Sequence, residues 1–200
     1  MPVANSMRDN HPVLPQHVPT FLMKQKITLM VNRYSIIEAN PDGSEGRLLA
    51  FAQQKRMSFK EKVTFYTDES RTAELFTFKA RHGLGVRAEH DVFDEQGQTV
   101  GWFRKHFGLS LLRSTWTVEY AGVKAKGQER NQVIAVLRRI WALPFIFHFD
   151  FVDEATGSVV MTSERKRTLR DRYVITVPDQ RMDFRVAASI AVALDAFQKR

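Results

Sequence analysis

Val186–Leu194 reads VAASIAVAL, an uncharged apolar run near the end of the chain that is flanked by Phe184 and Phe197. On a helix this run places small or apolar side chains on every side, and a helix of this kind is either buried in protein or spans a membrane. From Met182 to Phe197 the helix would be about 24 Å long, at about 1.5 Å per residue, which is short of the roughly 30 Å hydrocarbon core of a bilayer. The sequence therefore predicts a helix that is enclosed by the rest of the fold.

The chain upstream of this run has the pattern of β-strands. Short apolar and β-branched stretches alternate with turn residues at intervals typical of an antiparallel meander rather than of βαβ units. A period of two, which is clear in the alternating phenylalanines from Phe145 to Phe151, places every second side chain on a buried face. The strands predicted in this way cover residues 26–31, 33–39, 47–55, 60–68, 74–81, 87–94, 99–107, 110–120, 145–152, 158–163 and 172–177.

Many short strands and one wholly apolar helix fit together best as a barrel. A closed sheet has no free edges and leaves an interior, which a peptide segment can fill. The terminal helix, predicted over residues 181–197, is slim because it carries alanine or serine at positions 187, 188, 189, 191 and 193. We therefore predict a mainly β fold, a closed antiparallel barrel around a buried C-terminal helix. Residues 131–142 repeat apolar side chains at helical spacing, which predicts one amphipathic helix on the outside.

The first 22 residues form a separate compositional block. They hold four of the seven prolines and little apolar patterning, which predicts a flexible arm. Residues 23–200 then form a single domain, which is long enough to bury a sizeable core. The pattern leaves the natural start open between Met1, Met7 and Met23.

The chain is basic and lacks cysteine. Its 30 Lys and Arg against 22 Asp and Glu give a net charge of +8 and a pI near 9.9, which favours anionic partners such as acidic lipid, acidic protein or nucleic acid. The lack of Cys excludes disulfides and thiolate-ligated metal sites. No secretory signal pattern is visible, so we expect a cytoplasmic protein, at most peripheral to a membrane. The oligomeric state is left open.

Four stretches of the sequence carry a family resemblance. They are LLAFAQQKRMSFKEKVTFYTDE at 48–69, ELFTFKAR at 74–81, DVFDEQGQTVGWFRKHFGLSLLRSTWTV at 91–118 and DFRVAASIAVALDAF at 183–197. Through them the chain resembles the LURP-one-related proteins, which are similar in fold to the tubby C-terminal domain and to phospholipid scramblases. The resemblance implies an antiparallel barrel of about twelve strands, wound round its C-terminal helix and spanning about residues 23–197.

The motifs that carry the resemblance are patterns of hydrophobic and turn residues and not a catalytic signature, and most of the family has no assigned biochemical role. Tubby domains bind phosphoinositides through basic side chains, although no specific tubby binding motif aligns with this sequence. Scramblases combine the fold with a cysteine-rich lipidated segment and an acidic calcium-binding segment, and the sequence shows neither. We therefore expect a non-enzymatic binding module, with no cofactor and no metal site, whose partner is an anionic phospholipid, a membrane surface or a protein. Nucleic acid is the less favoured partner.

Two basic clusters are the candidate binding residues. One lies between two phenylalanines, and the other holds five basic residues within eight positions. In the functional interpretation they hold phosphate groups at the rim of the barrel, and in the alternative they are solvated strand faces that keep the protein soluble. The candidate anion-binding residues are Arg165, Lys166, Arg167, Arg170, Arg172, Arg104 and Lys105.

An enzymatic role has little support in the sequence. His148 and Asp150 share one face of a predicted strand, as a proton relay or two metal ligands would require, but no third group lies at a recognisable spacing. No G-x-S-x-G elbow, Walker loop or H-E-x-x-H pair is present.

Overall fold

The computed structural model describes residues 14–28, 31–55, 62–81, 89–107, 114–130, 148–166 and 172–198. These residues form twelve strands and one helix. The elements are β1 (Thr20–Ile27), β2 (Val31–Ala39), β3 (Glu45–Lys55), β4 (Lys62–Tyr66), β5 (Glu74–Ala80), β6 (Glu89–Phe93), β7 (Thr99–Phe107), β8 (Ser114–Tyr120), β9 (Val123–Glu129), β10 (His148–Asp153), β11 (Val159–Lys166), β12 (Arg172–Thr176) and α1 (Phe184–Gln198).

The strands form one closed antiparallel sheet. Each strand pairs with the next one in the chain, and β12 returns to pair with β1. The register at the closure places Phe21 opposite Ile175 and Met23 opposite Tyr173. The predicted closed barrel is confirmed.

The helix α1 runs through the interior of this barrel. Near its start, the ring of Phe184 lies 5.4 Å from that of Phe21 on β1 and 6.2 Å from that of Phe76 on β5. From Val186 to Asp195 no residue is more than 2% exposed. Strands on different sides of the barrel therefore contact the same helix, which confirms the enclosed position predicted from its composition. Burying each large apolar side chain in this way contributes about 1.5–3 kcal/mol.

Close packing of the wall on its contents depends on two glycines. A Cβ on Gly101 of β7 would lie 2.9 Å from Cγ2 of Val186, so the strand approaches the helix backbone closely there. A Cβ on Gly127 of β9 would overlap the ring of Phe151 on the neighbouring strand. A larger side chain at either position would push the wall away from the core.

The two ends of the barrel differ in their connections. At the end where α1 begins, four of the hairpins close with an Asp whose carboxylate accepts the backbone N–H two positions on, at 2.7–3.0 Å. These are Asp42, Asp68, Asp94 and Asp153. The fifth hairpin, between β8 and β9, closes through Ala121 and Gly122, which both have positive φ, as a type I′ turn requires. Most residues of the connections at the opposite end lie outside the described residues.

The structure differs from the sequence predictions at two places and leaves other predictions untested. β1 begins at Thr20, and Phe21 and Leu22 are buried, so the arm boundary predicted at residue 22 lies inside the first strand. β9 was not predicted at all, because its sequence VKAKGQE is poor in β-branched and aromatic residues. The outer helix predicted over residues 131–142, the strand positions 145–147 and most of the predicted flexible arm lie outside the described residues.

Candidate anion-binding surface

Five cationic side chains lie together on the outer face of four neighbouring strands. Along each strand they alternate with side chains that point into the barrel, and they therefore point outward. The strands are β11, β12, β1 and β2, which are adjacent in the barrel. We call this set the basic row, and its members are Lys24, Lys26, Arg33, Lys166 and Arg172.

The sheet register places these cations directly opposite one another. Lys166 faces Arg172, and Arg172 faces Lys24 on its other side. Lys26 faces Arg33 across the next pair of strands. Directly opposed side chains in an antiparallel pair have Cβ atoms about 4.5–5.5 Å apart, and like charges at that spacing destabilise a sheet. The basic row therefore contains three successive unfavourable cross-strand pairs.

Two carboxylates partly neutralise the row. Glu45 forms ion pairs with both Lys24 and Arg172, and its pKa is lowered by the hydrogen bond from Lys24 and by the charges of the two cations. Glu69 lies 3.7 Å from a guanidinium nitrogen of Arg33. Within the described part of the chain, neither of the exposed side chains of Lys26 and Lys166 forms an ion pair. The row keeps an excess of positive charge.

The predicted cluster at the β11–β12 connection is only partly in this row. Lys166 and Arg172 belong to it, whereas Arg165 points inward and its guanidinium lies 5.9 Å from the ring centre of Tyr173. Arg167 and Arg170 lie outside the described residues, in the connection that joins Lys166 to Arg172.

The other predicted cluster lies elsewhere on the barrel. Arg104 is on the outer face of β7, where its guanidinium donates to Glu89 at 2.9 Å. Lys105 points inward, and its ammonium donates to the carbonyl oxygen of Phe197 at 2.9 Å, near the last turn of α1. Strands β8, β9 and β10 separate β7 from β11, so the structure does not bring the two clusters together.

The outer face around Arg104 has the opposite arrangement of charge. Lys79 faces Asp91, Arg104 faces Glu89, and Lys124 faces Glu119. We call this region, on β5–β9, the balanced face. At its margin Lys62 on β4 faces Lys79, and the carboxylate of Glu74 lies 3.8 Å from the Lys62 ammonium.

Sequence reasoning missed three members of the basic row. Lys24 lies before the predicted start of the first strand, at residue 26, whereas Lys26 and Arg33 lie in predicted strands but were not considered as site residues. The sequence Lys24-Gln25-Lys26 does carry a signal, since two cations at a period of two share one face of a strand. That they face Arg172 and Arg33 follows only from the pairing of the strands.

The strongest enzymatic candidate of the sequence is part of a surface ion pair. The guanidinium of Arg130 donates to both oxygens of Asp150, at 2.8 and 2.6 Å. Among the described residues no group of three or more His, Asp and Glu is arranged to hold a metal ion. Among the described residues, no helix has the length and the apolar composition that a membrane span requires.

Comparison with known proteins adds one finding. A family model described as LURP-one-related matches residues 49–195, from the middle of β3 to the last turns of α1. A comparison with curated proteins gives no match.

Proposed function

The chain belongs to the LURP-one-related family, and we propose that it is a non-enzymatic binding module whose basic row holds the phosphate groups of anionic phospholipids. The observation that carries this proposal is the series of three like-charge pairs, Lys166 with Arg172, Arg172 with Lys24, and Lys26 with Arg33. A sheet gains nothing in stability from opposed cations, so a bound anion gives the arrangement a use.

Phosphate groups at a membrane surface suit the geometry of the row. Each Lys or Arg close to an anionic bilayer contributes about 1 kcal/mol of attraction, and the contributions of neighbouring cations accumulate. The row crosses four adjacent strands about 4.8 Å apart, so it is wide enough to meet more than one headgroup. Tubby domains, which share the barrel architecture, bind phosphoinositides through basic side chains, and this supports lipid over nucleic acid. We expect a cytoplasmic protein that associates peripherally with the membrane.

Vesicle flotation tests the proposal. We expect the full chain to float with phosphatidylcholine vesicles that contain phosphatidylserine, and not to float with vesicles of phosphatidylcholine alone. The variant Lys24→Gln/Lys166→Gln/Arg172→Gln should bind about 100-fold more weakly, because it loses three contributions of about 1 kcal/mol each. Its matched control is Lys79→Gln/Arg104→Gln/Lys124→Gln, which removes the same charge from the balanced face and should retain binding.

Two results would overturn the proposal. Equal loss of binding in the two triple variants would show that net charge, and not the basic row, attracts the vesicles. A lack of flotation at low salt, together with strongly salt-dependent binding to nucleic acid, would favour the nucleic-acid alternative instead.

A further inference from the structure

The inner face of the strands that carry the basic row holds the C-terminal part of α1. Three polar side chains on these strands point inward to Asp195 of the helix. Gln25 lies between two lysines of the row, Tyr34 follows Arg33, and Tyr173 follows Arg172. We call these three side chains and Asp195 the Asp195 anchor.

The carboxylate of Asp195 is buried and fully surrounded by the barrel. One oxygen accepts from the hydroxyl of Tyr34 at 3.0 Å and from the amide of Gln25. The other accepts from the hydroxyl of Tyr173 at 2.7 Å. The residue is 1% exposed, so its carboxylate has almost no contact with water.

Three features show that the ionised carboxylate of Asp195 is stabilised by any positive charge near it. An ionised group away from water loses its hydration. A negative charge near the C-terminus of a helix also opposes the helix dipole. The hydrogen bonds from Tyr34 and Tyr173 come from neutral donors, and burial together with the charge of Asp195 raises the pKa of Tyr34. The tyrosine therefore remains a donor.

Cationic side chains lie on both sides of this part of the barrel wall. Inside, Arg165 stacks over the ring of Tyr173, and Lys105 donates to the carbonyl oxygen of Phe197 in the last turn of the helix. Outside, the basic row is one sheet thickness away, on residues adjacent in sequence to the three donors. A charge acts more strongly through protein than through water, so outer cations influence a buried carboxylate behind the same strands.

We propose that the basic row and the Asp195 anchor form one coupled unit, in which an anion that covers the row weakens the hold of the barrel on the C-terminal end of α1. The identity of the anion as a phospholipid headgroup rests on the proposed function, whereas the coupling between the two faces does not. A bound phosphate cancels the positive field that favours the carboxylate. By linkage, loss of the Asp195 charge strengthens anion binding to the same extent.

A double-mutant cycle without any ligand tests the coupling. Lys24→Gln/Arg172→Gln is compared in the native chain and in Asp195→Asn by thermal unfolding at low salt. The relief of like-charge repulsion and the loss of the Glu45 ion pairs are the same in both backgrounds and cancel in the comparison. The two substitutions cause one change in Tm in the native chain and another in Asp195→Asn. We expect the change in the native chain to be about 2–4 °C less favourable to stability than the change in Asp195→Asn. Equal changes in the two backgrounds would overturn the coupling.

A second variant covers the case in which Asp195→Asn fails to fold. Tyr173→Phe removes one hydrogen bond and leaves the carboxylate charged, which makes it more dependent on the outer cations. The same two substitutions should then change the Tm less favourably than they do in the native chain, and an equal or more favourable change would contradict the proposal.

Hydrogen exchange on vesicles connects the coupling to the membrane. With phosphatidylserine-containing vesicles we expect the amides of the last turn of α1 to exchange several-fold faster, and with phosphatidylcholine to stay unchanged. If the chain binds these vesicles but the amides of the last turn of α1 do not exchange faster, the proposed effect of the anion on the helix is wrong. A positive cycle without flotation would leave the coupling standing and overturn only the phospholipid role.

Discussion

The basic row and the balanced face are built on the same kind of antiparallel wall but distribute charge in opposite ways. On the balanced face Lys79, Arg104 and Lys124 each stand opposite a carboxylate. On the basic row Arg172 stands between two further cations, Lys24 and Lys166. The barrel itself therefore does not impose either arrangement. One face follows the rule for stable cross-strand pairs, and the other departs from it, as functional sites commonly do.

The inner sides of the two regions differ in the same sense. Behind the balanced face the wall packs rings and aliphatic groups, including Phe103 and Val118, against the helix. Behind the basic row it holds the buried carboxylate of Asp195 among Tyr34 and Tyr173. The buried carboxylate of Asp195 thus lies behind the same part of the barrel whose outer face carries the opposed cations, and this is the part we assign to ligand binding.

Among single substitutions, the largest effect is expected from reversing a charge in the basic row. Lys166→Glu places a carboxylate opposite Arg172 and removes one cation that faces the membrane. Reversal of a charge near an anionic surface changes the attraction by about 2 kcal/mol, which is about 30-fold in affinity. The new opposite-charge pair should raise the free energy of unfolding by about 0.5 kcal/mol. Flotation and urea denaturation measure the two effects, and unchanged binding would remove Lys166 from the site.

A reversal on the balanced face should have the opposite pattern. Glu119→Lys places two lysines opposite each other, since Lys124 faces this position on β9. The free energy of unfolding in urea should fall by about 1 kcal/mol, because a favourable pair is replaced by an unfavourable one. Vesicle binding should rise far less than it falls in Lys166→Glu. If Glu119→Lys gained as much affinity as Lys166→Glu lost, the position of the charge would not matter and the distinction between the faces would be wrong.

Much of this comparison depends on information that the sequence carries only in part. The enclosed helix and the barrel follow from local patterns, because an all-round apolar helix and strands of period two have few ways to be buried together. β9 escaped prediction because alanine, lysine and glycine at Ala125, Lys126 and Gly127 give little strand signal, and only the packing of Phe151 on Gly127 explains the sequence there.

The site was less predictable because it is assembled across strands. The cluster around Lys166 and Arg172 is visible as a run of basic residues, but Lys24 lies near the other end of the chain and meets Arg172 only through the closure of the barrel. Arg104 and Lys105 have the same local appearance in the sequence, yet one pairs with Glu89 and the other binds the end of α1. The register of the strands decides which side chain stands opposite each charged residue, and a shift of one residue would give each charge a different partner.

The smallest effects are expected from Glu45, the carboxylate that partly neutralises the basic row. Glu45→Gln frees Lys24 and Arg172 from their ion pairs, and we expect it to strengthen binding to phosphatidylserine-containing vesicles about threefold, within the range of about 1 kcal/mol of an exposed ion pair. The control Glu74→Gln removes a carboxylate that lies beside Lys62, outside the row, and should leave binding unchanged. Weaker binding of Glu45→Gln would mean that this carboxylate belongs to the site and does not compete with its ligand.

The same carboxylate gives the basic row a distinct response to acid. The hydrogen bond from Lys24 and the charges of Lys24 and Arg172 lower the pKa of Glu45 in the folded chain below the ordinary value of 4.5. As the pH falls, the unfolded chain therefore takes up this proton first, so the contribution of Glu45 to stability is complete above pH 4.5 and disappears as the pH falls through the lower folded pKa. In urea titrations the difference in unfolding free energy between the native chain and Glu45→Gln should be constant near neutral pH and shrink in acid. Glu45→Gln is also compared in the background Lys24→Gln/Arg172→Gln, in which Glu45 has lost both cationic partners. There the effect of Glu45→Gln on the unfolding free energy should no longer depend on acid pH. If the acid dependence persists, groups outside the basic row lower the pKa of Glu45.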